Sequence, residues 1–319
     1  MSDNRKALVL GATGGIGGET AAALVRHGWT VVAMARHLGS RSPAEDERIT
    51  WVAGDAMNRA EVRSAAEGVQ AIVHAVNPPG YRDWDRLVLP MIDNSIAAAR
   101  AVGARIVLPG TIYNYGSDAF PLLLEDAAQH PVTRKGEIRV ELERRLETAS
   151  RDGVRALIVR FGDFFGPAPG NNWFSQGLVT PGKCLNAITY PGPKGIGHAW
   201  AYLPDAAETI ARLLDRASEL EPFARFNFAG TWDVDGTMMT SAIAEALGRP
   251  ETKVKPLPWW LLRLAGLVQE TPRELYAMRY LWEQPVQLDN RKLLAQLGDE
   301  PATPLAEAVR QTLAALQVT

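Results

Sequence analysis

Seven residues near the start of the chain, Gly11-Ala12-Thr13-Gly14-Gly15-Ile16-Gly17, form the motif most directly tied to chemistry. They follow an apolar run, Ala7-Leu8-Val9-Leu10, and open a stretch with helical spacing. Glycines at the first, fourth and seventh places permit a tight turn, close backbone approach to a pyrophosphate, and tight packing of helix on strand. The helix start adds N–H groups and a partial positive charge. A dinucleotide site on Gly11, Thr13, Gly14, Gly15, Ile16 and Gly17 is therefore expected. NAD sites place an acidic residue after the second strand, about 20 residues on, to hold the ribose hydroxyls. Here Val31-Val32-Ala33-Met34 runs into Ala35-Arg36-His37 instead. No carboxylate repels a 2′-phosphate, and Arg36, with Arg41 nearby, is placed to grip one, so NADP(H) is expected over NAD(H).

Other chemistries find little support. Gly177 to Cys184 nearly spells a nucleoside-triphosphate loop, but it lacks the final Ser/Thr, contains Pro181 and follows no strand. No Gly-x-Ser-x-Gly elbow, His-Glu-x-x-His pair or EF-hand loop occurs. His27, His37, His74, His130 and His198 lack ligand spacing and Cys184 is the lone cysteine, so no metal site is expected. The 34 basic and 36 acidic residues give a net charge of −2, which argues against nucleic-acid or anionic-membrane partners. The start, Met1-Ser2-Asp3-Asn4-Arg5-Lys6, has no signal-peptide plan, and no run approaches the ~18 apolar residues of a spanning helix. A cytoplasmic protein is expected.

The elements that position the glycine turn alternate. Strand-like runs at Ala7 to Leu10, Thr30 to Ala35, Ile49 to Ala53, Ala71 to Val76, Arg105 to Leu108 and Ala156 to Phe161 are separated by helical stretches. The helices are Ile16 to His27, Asn58 to Glu67, Trp84 to Val102 and Arg134 to Ser150, and Gly28, Gly103 and Gly153 fit left-handed caps. Continuous apolar strands between helices imply right-handed crossovers and a doubly wound parallel sheet of the α/β Rossmann class. Residues 162 to 197 are rich in Gly, Pro and Asn and read as a long binding loop. A strand at Ala199 to Leu203, a helix from Pro204-Asp205 to Ala217 and a strand at Arg225 to Phe228 follow. The tail is mostly helical, over Thr237 to Leu247, Trp259 to Leu267, Arg273 to Glu283 and Thr303 to Leu316. The expected division is a dinucleotide domain at 1–170, with 198–229 returning to it. Residues 171–197 and 230–319 then form a smaller, mostly helical substrate lobe.

With these motifs in order, the chain resembles an extended short-chain dehydrogenase/reductase of the NAD(P)-dependent epimerase/dehydratase type. The likeness rests on the glycine turn, Gly54-Asp55, His74-Ala75-Val76, Thr111 with Tyr115-Gly116, and Arg160-Phe161-Gly162 with Gly166-Pro167. Trp200 to Asp205, Leu293 to Gly298, Pro301 and Pro304-Leu305 extend it along the chain. The resemblance implies that Asp55 and Ala56 hold the adenine, Ala75, Val76 and Asn77 line a ribose, and the Phe161 region meets the nicotinamide. Asp55 as a turn residue and Asp205 as a helix cap are the plain alternatives. The resemblance also implies a homodimer through two helices of the α/β domain.

The family's hydride chemistry uses a Ser/Thr, a Tyr and a Lys, the last two as Tyr-x-x-x-Lys on one helix face. Thr111 fits the first role, and Gly136 and Glu143 fit the helix pattern, but Lys135 stands at the tyrosine position and Arg139 at the lysine position. Arg139 keeps a cation for the ribose. Lys135, beside that arginine and a cationic nicotinamide, is a candidate proton donor or amine nucleophile with a depressed pKa, and Tyr113 and Tyr115 are substitute phenols. An ordinary exposed helix laced with i,i+4 ion pairs is the alternative. Asn171-Asn172 matches an epimerase substrate loop as well as it matches a turn, and Trp173, Phe174, Trp200 and Tyr202 suit either a cleft wall or plain packing. Three functions follow: an NADP(H)-dependent oxidoreductase or epimerase on a small carbonyl, alcohol or sugar-like substrate; an NADP(H)-binding sensor with little turnover; or a lyase using Lys135 as base.

Overall fold

The computed structural model describes residues 5–38, 46–78, 83–168 and 172–319; Arg41 and Asn171 lie outside them. The first half runs β1 (Lys6–Leu10), α1 (Gly15–Arg26), β2 (Thr30–Ala35), β3 (Ile49–Ala53), α2 (Arg59–Ala65), β4 (Ala71–His74), α3 (Trp84–Val102), β5 (Arg105–Gly110), β6 (Leu122–Leu123), α4 (Arg134–Arg151) and β7 (Ala156–Arg160). Gly28, Gly103 and Gly153 adopt φ of +80°, +72° and +89°, as their places after α1, α3 and α4 require. Asn58 accepts from the Ala60 and Glu61 N–H groups to start α2. The Thr133 hydroxyl accepts from Gly136 N–H to start α4, which fixes the register of Lys135 and Arg139.

The second half runs β8 (Asp163–Phe165), β9 (Ala187–Tyr190), β10 (His198–Tyr202), α5 (Leu203–Asp215), β11 (Phe223–Asn227), β12 (Thr231–Asp233), α6 (Met238–Ala246) and β13 (Lys253–Pro256). It ends with α7 (Trp259–Ala265), α8 (Glu270–Ala277), α9 (Tyr280–Glu283), β14 (Gln287–Leu288), α10 (Arg291–Leu297) and α11 (Leu305–Ala315). The single helix expected over Arg273 to Glu283 is two, because the chain turns at Met278 and Arg279. The long loop expected after Phe161 contains β8 and β9 and one π-helical turn at Phe174–Leu178. These strands are too short and too Gly/Pro-broken to show a period.

Seven strands pair in the order β11-β7-β5-β4-β1-β2-β3, all parallel. Alternation along β1 explains why its run is apolar throughout. Ala7 and Val9 join the core under α1 and α5, while Leu8 and Leu10 join the core under α2, α3 and α4. Burying each leucine stabilises the sheet by roughly 1.5–3 kcal/mol. The chain leaves β1 for β2 on one side and returns to β4 on the other, so a crevice opens beyond the carboxyl ends of β1 and β4. Within 198–229, α5 packs beside α1 and β11 extends the main sheet, whereas β10 belongs to a three-stranded sheet with β8 and β12. An aromatic core holding Phe165, Phe174, Trp200, Tyr202 and Trp282 packs against that small sheet. No helix among the described residues is long and apolar enough to cross a membrane.

Candidate active site

The glycine turn lies at the crevice. Gly11 has φ +81°, and a Cβ there would sit 2.7 Å from the Ala75 carbonyl oxygen. A Cβ on Gly17 would meet the Gly11 carbonyl oxygen at 2.3 Å, so α1 packs on the turn only with glycine at that place. Gly14 is the N-cap of α1 and brings no side chain to its N–H groups, and no acidic residue stands in the first turn. The helix start is thereby open to an anion.

Two joined cavities run along the crevice. The first, about 250 Å³, is lined by Gly11, Thr13, Gly14, Arg36, Asp55 and Ala56, together with Ala75, Val76 and Asn77. The second, about 240 Å³, shares Gly14, Ala75, Val76 and Asn77 and continues past Gly15, Ile16 and His74 to Thr111, Tyr113 and Arg139. Gly17 lines neither, its place being against the turn backbone. Arg36 is exposed at the rim after β2. Asp55 binds its own loop, one carboxylate oxygen accepting from Met57 N–H at 2.9 Å, while its N–H donates to Glu61 Oε2 at 2.7 Å. A turn role and a place in the cavity wall thus coexist.

At the far end, the Thr111 hydroxyl oxygen accepts from Tyr113 N–H at 3.3 Å. Arg139 Nη2 donates to Asn77 Oδ1 at 3.3 Å, and its guanidinium lies 4.9 Å from the centre of the Trp84 ring. His74 is buried with Nδ1 2.8 Å from Ser95 Oγ; burial first and the Arg139 charge second hold its pKa down at about 3, so it is neutral. Tyr115 is fully buried under the Arg160 guanidinium, 5.5 Å from its ring centre, and lines neither of these two cavities. Tyr113 is the phenol at the cavity. Arg160 in turn holds Glu143 at 2.7 Å, a buried pair that ties β7 to α4.

Lys135 is also in place by register, one turn before Arg139, yet it is not among the cavity-lining residues. Its side chain is 2% exposed, and Nζ lies 3.4 Å from Glu274 Oε2 and 5.6 Å from the Trp84 ring centre. Burial lowers its pKa to about 8 against the opposing pull of Glu274 and Glu270. The ordinary exposed helix considered from sequence describes only the outer face of α4, where Arg151 pairs with Glu147 and Arg145 with Glu141.

Several participants had no signal of their own. Glu274 lies on α8, far along the chain from Lys135, and only the tertiary fold joins them. A recess of about 60 Å³ beside Thr111 and Tyr113 is lined by Asp163, Asn172 and Trp173, and Asp163 Oδ2 lies 2.8 Å from His198 Nε2. Asn172 Oδ1 accepts from the Ser175 N–H and hydroxyl and so also fixes the turn. Phe174, Trp200 and Tyr202 are core residues. Asp205, expected to cap its helix, instead accepts from Thr303 N–H and hydroxyl, each at 2.7 Å, and pins the C-terminal segment onto α5.

A protein-family model described as NAD(P)H-binding matches residues 11–164. No curated protein matches the sequence. Among solved structures, UDP-glucuronic acid 4-epimerase from Bacillus cereus in complex with NAD aligns at 15% identity, over 98% of each chain, with a TM-score of 0.77. UDP-N-acetylglucosamine 4-epimerase from the same organism aligns at 18% identity over 98% of this chain and 97% of that one, with a TM-score of 0.74. L-threonine dehydrogenase from Clostridium difficile aligns at 17% identity over 98% of each chain, with a TM-score of 0.77. Residues 11–164 thus match an NAD(P)H-binding family model, and the whole chain shares the fold of these epimerase and dehydrogenase structures.

Proposed function

We propose that the protein is an NADP(H)-dependent oxidoreductase or epimerase acting on a small carbonyl, alcohol or sugar-like substrate. The observation that carries this reading is that Thr111, Tyr113 and Arg139 line the same cavity as Gly14, Gly15 and Ile16. The cradle fits a dinucleotide: a glycine turn that tolerates no Cβ toward Ala75, an open helix start, and a trough extending both ways from them. When bound, the nicotinamide supplies hydride transfer. The glycine turn, with Thr13, holds the pyrophosphate, Asp55 and Ala56 border the adenine, and Arg36 takes a 2′-phosphate by charge-assisted hydrogen bonds. Ala75, Val76 and Asn77 wall the middle, and Arg139, steadied by Asn77 and Trp84, binds the nicotinamide-side ribose.

In this mechanism Thr111 hydrogen-bonds the reacting oxygen and Tyr113 exchanges a proton with it. Lys135 does not take the missing tyrosine's place at that oxygen, because its ammonium is held by Glu274. It acts as a positioning residue that fixes α8 against α4. The neighbours named as NAD complexes or sugar-nucleotide epimerases support the reaction class for this chain and leave the choice of phosphate to Arg36. A homodimer and a cytoplasmic location belong to the same reading.

A second reading, an NADP(H)-binding sensor with little turnover, is favoured by one observation: the position of the family's acid is taken up by a buried ion pair. Fluorescence titration with NADPH and NADH, followed by a carbonyl, alcohol and sugar-nucleotide panel, separates the two. Tight NADPH binding with turnover supports the enzyme, and tight binding with none across the panel selects the sensor. Failure to bind either nucleotide overturns both.

A further inference from the structure

Fourteen large apolar side chains are exposed among the described residues, and six of them fall between Val254 and Val268. Trp260, Leu261 and Leu264 stand at i, i+1 and i+4 on α7 and so share one face, and Leu267 and Val268 extend the apolar stretch into the turn that follows. The stretch ends at the turn joining α7 to α8, where Leu267 and Val268 are 80% and 84% exposed. The adjacent tryptophan points the other way: Trp259 donates its indole N–H to the Pro191 carbonyl at 2.9 Å and packs edge-on against Trp173. Gly266, whose Cβ would come within 2.9 Å of Arg273 Cα, lets the two helices close on each other. Neither helix contains a buried residue. The result is a projecting hairpin with an inward anchor and an outward apolar tip.

The charge around the tip is biased to the basic side. Residues 253–277 contain Lys253, Lys255, Arg263 and Arg273 against Glu270 and Glu274, in a chain whose net charge is −2. All four cations are exposed, and Glu274 is paired with Lys135. The whole-chain balance, which argued against a membrane, averages over this local excess.

We propose that the α7–α8 hairpin docks on the surface of an anionic lipid bilayer. An indole and aliphatic stretch flanked by Lys and Arg suits the boundary between acyl chains and headgroups, where the apolar face enters and the cations meet lipid phosphates. The six exposed apolar side chains fall well short of the roughly 20–30 residues per side that a stable protein interface uses. The hairpin also carries Glu274, so docking places the lipid surface beside the helix that bears Lys135 and Arg139. The inference goes beyond the proposed reaction and does not depend on it.

The test is flotation of the full-length protein with phosphatidylcholine vesicles, alone or with about 30% phosphatidylglycerol. The expected result is binding to the anionic vesicles that weakens as salt is raised. Leu267→Glu with Val268→Glu abolishes it. Each basic side chain near an anionic surface is worth about fivefold, so Lys253→Glu with Lys255→Glu lowers binding by about 25-fold or more. Circular dichroism of both variants matches the parent, since these side chains are exposed. Absence of the parent protein from anionic vesicles overturns the proposal. So does binding unchanged in the Leu267/Val268 variant, or a dimer seen by light scattering that this variant dissolves while vesicles bind neither protein. Loss of NADPH binding alone would overturn the enzymatic reading and leave this one standing.

Discussion

The Lys135 ammonium sits 3.4 Å from the Glu274 carboxylate, and this contact joins the helix that carries Arg139 to α8. Lys135 and Arg139 lie one turn apart and both rest on Trp84, the first residue of α3. One aromatic ring thus supports two cations with different tasks. Arg139 reaches the cavity, and Lys135 reaches away from it to α8.

The buried lysine sets a pH dependence. Its pKa is lowered from 10.5 to about 8, mainly by burial, so the unfolded chain binds its proton more tightly than the folded one. The cost is therefore present in full below pH 8 and is relieved as pH rises toward 10.5, adding roughly 3 kcal/mol of stability across that window. Urea unfolding of the parent protein compared with Lys135→Met, from pH 7 to 10.5, isolates this group from the tyrosines. A pH-independent difference would mean the lysine titrates normally. Glu274→Gln strands the cation and is expected to cost about 3 kcal/mol at pH 7.

Much of the fold was legible because β1, β2, β4, β5 and β7 are buried on both faces and so read as continuous apolar runs between helices. The glycine turn was legible because backbone conformation and close approach exclude other residues there. The Lys135–Glu274 and Asp163–His198 pairs were not, since contacts between elements distant in sequence leave no local period. Asp205 was misread for the same reason: a Pro-Asp at a helix start looks like a cap, and Thr303 is visible only in three dimensions.

Arg36 stands at the rim of the first cavity, where NAD sites keep a carboxylate. Hydrogen bonds to a charged partner contribute about 1.5–3 kcal/mol, so Arg36→Ala is expected to weaken NADPH by roughly 10- to 100-fold. NADH, lacking the 2′-phosphate, changes little. Arg36→Asp goes further and favours NADH. Equal losses for both nucleotides in a fluorescence titration would remove Arg36 from phosphate recognition.

Gly17→Ala tests the packing of α1 on the turn. Alanine is favoured over glycine in a helix by about 1 kcal/mol. The added Cβ would stand 2.3 Å from the Gly11 carbonyl oxygen, a backbone atom that cannot swing aside. Overpacking of this kind costs about 1–3 kcal/mol, so strain cancels or exceeds the propensity gain, and the displaced turn loses NADPH affinity. A thermal midpoint raised by the substitution, with affinity unchanged, would contradict the arrangement.

The proton donor is the sharpest point of disagreement between sequence position and geometry. Tyr113 lines the cavity and its neighbouring recess, beside Thr111, whereas Lys135 occupies the family's tyrosine position and points to Glu274. General acid catalysis contributes about 10²–10⁴-fold, so Tyr113→Phe is expected to lower kcat by that range with NADPH affinity retained. Lys135→Met, which leaves both hydroxyls in place, lowers kcat by less than about tenfold and acts mainly through stability, since the contacts to Glu274 and Trp84 that it loses hold helices together. The reverse ranking, with Lys135→Met inactive while folded and Tyr113→Phe active, would assign the proton to the lysine and require α8 to withdraw Glu274 during turnover.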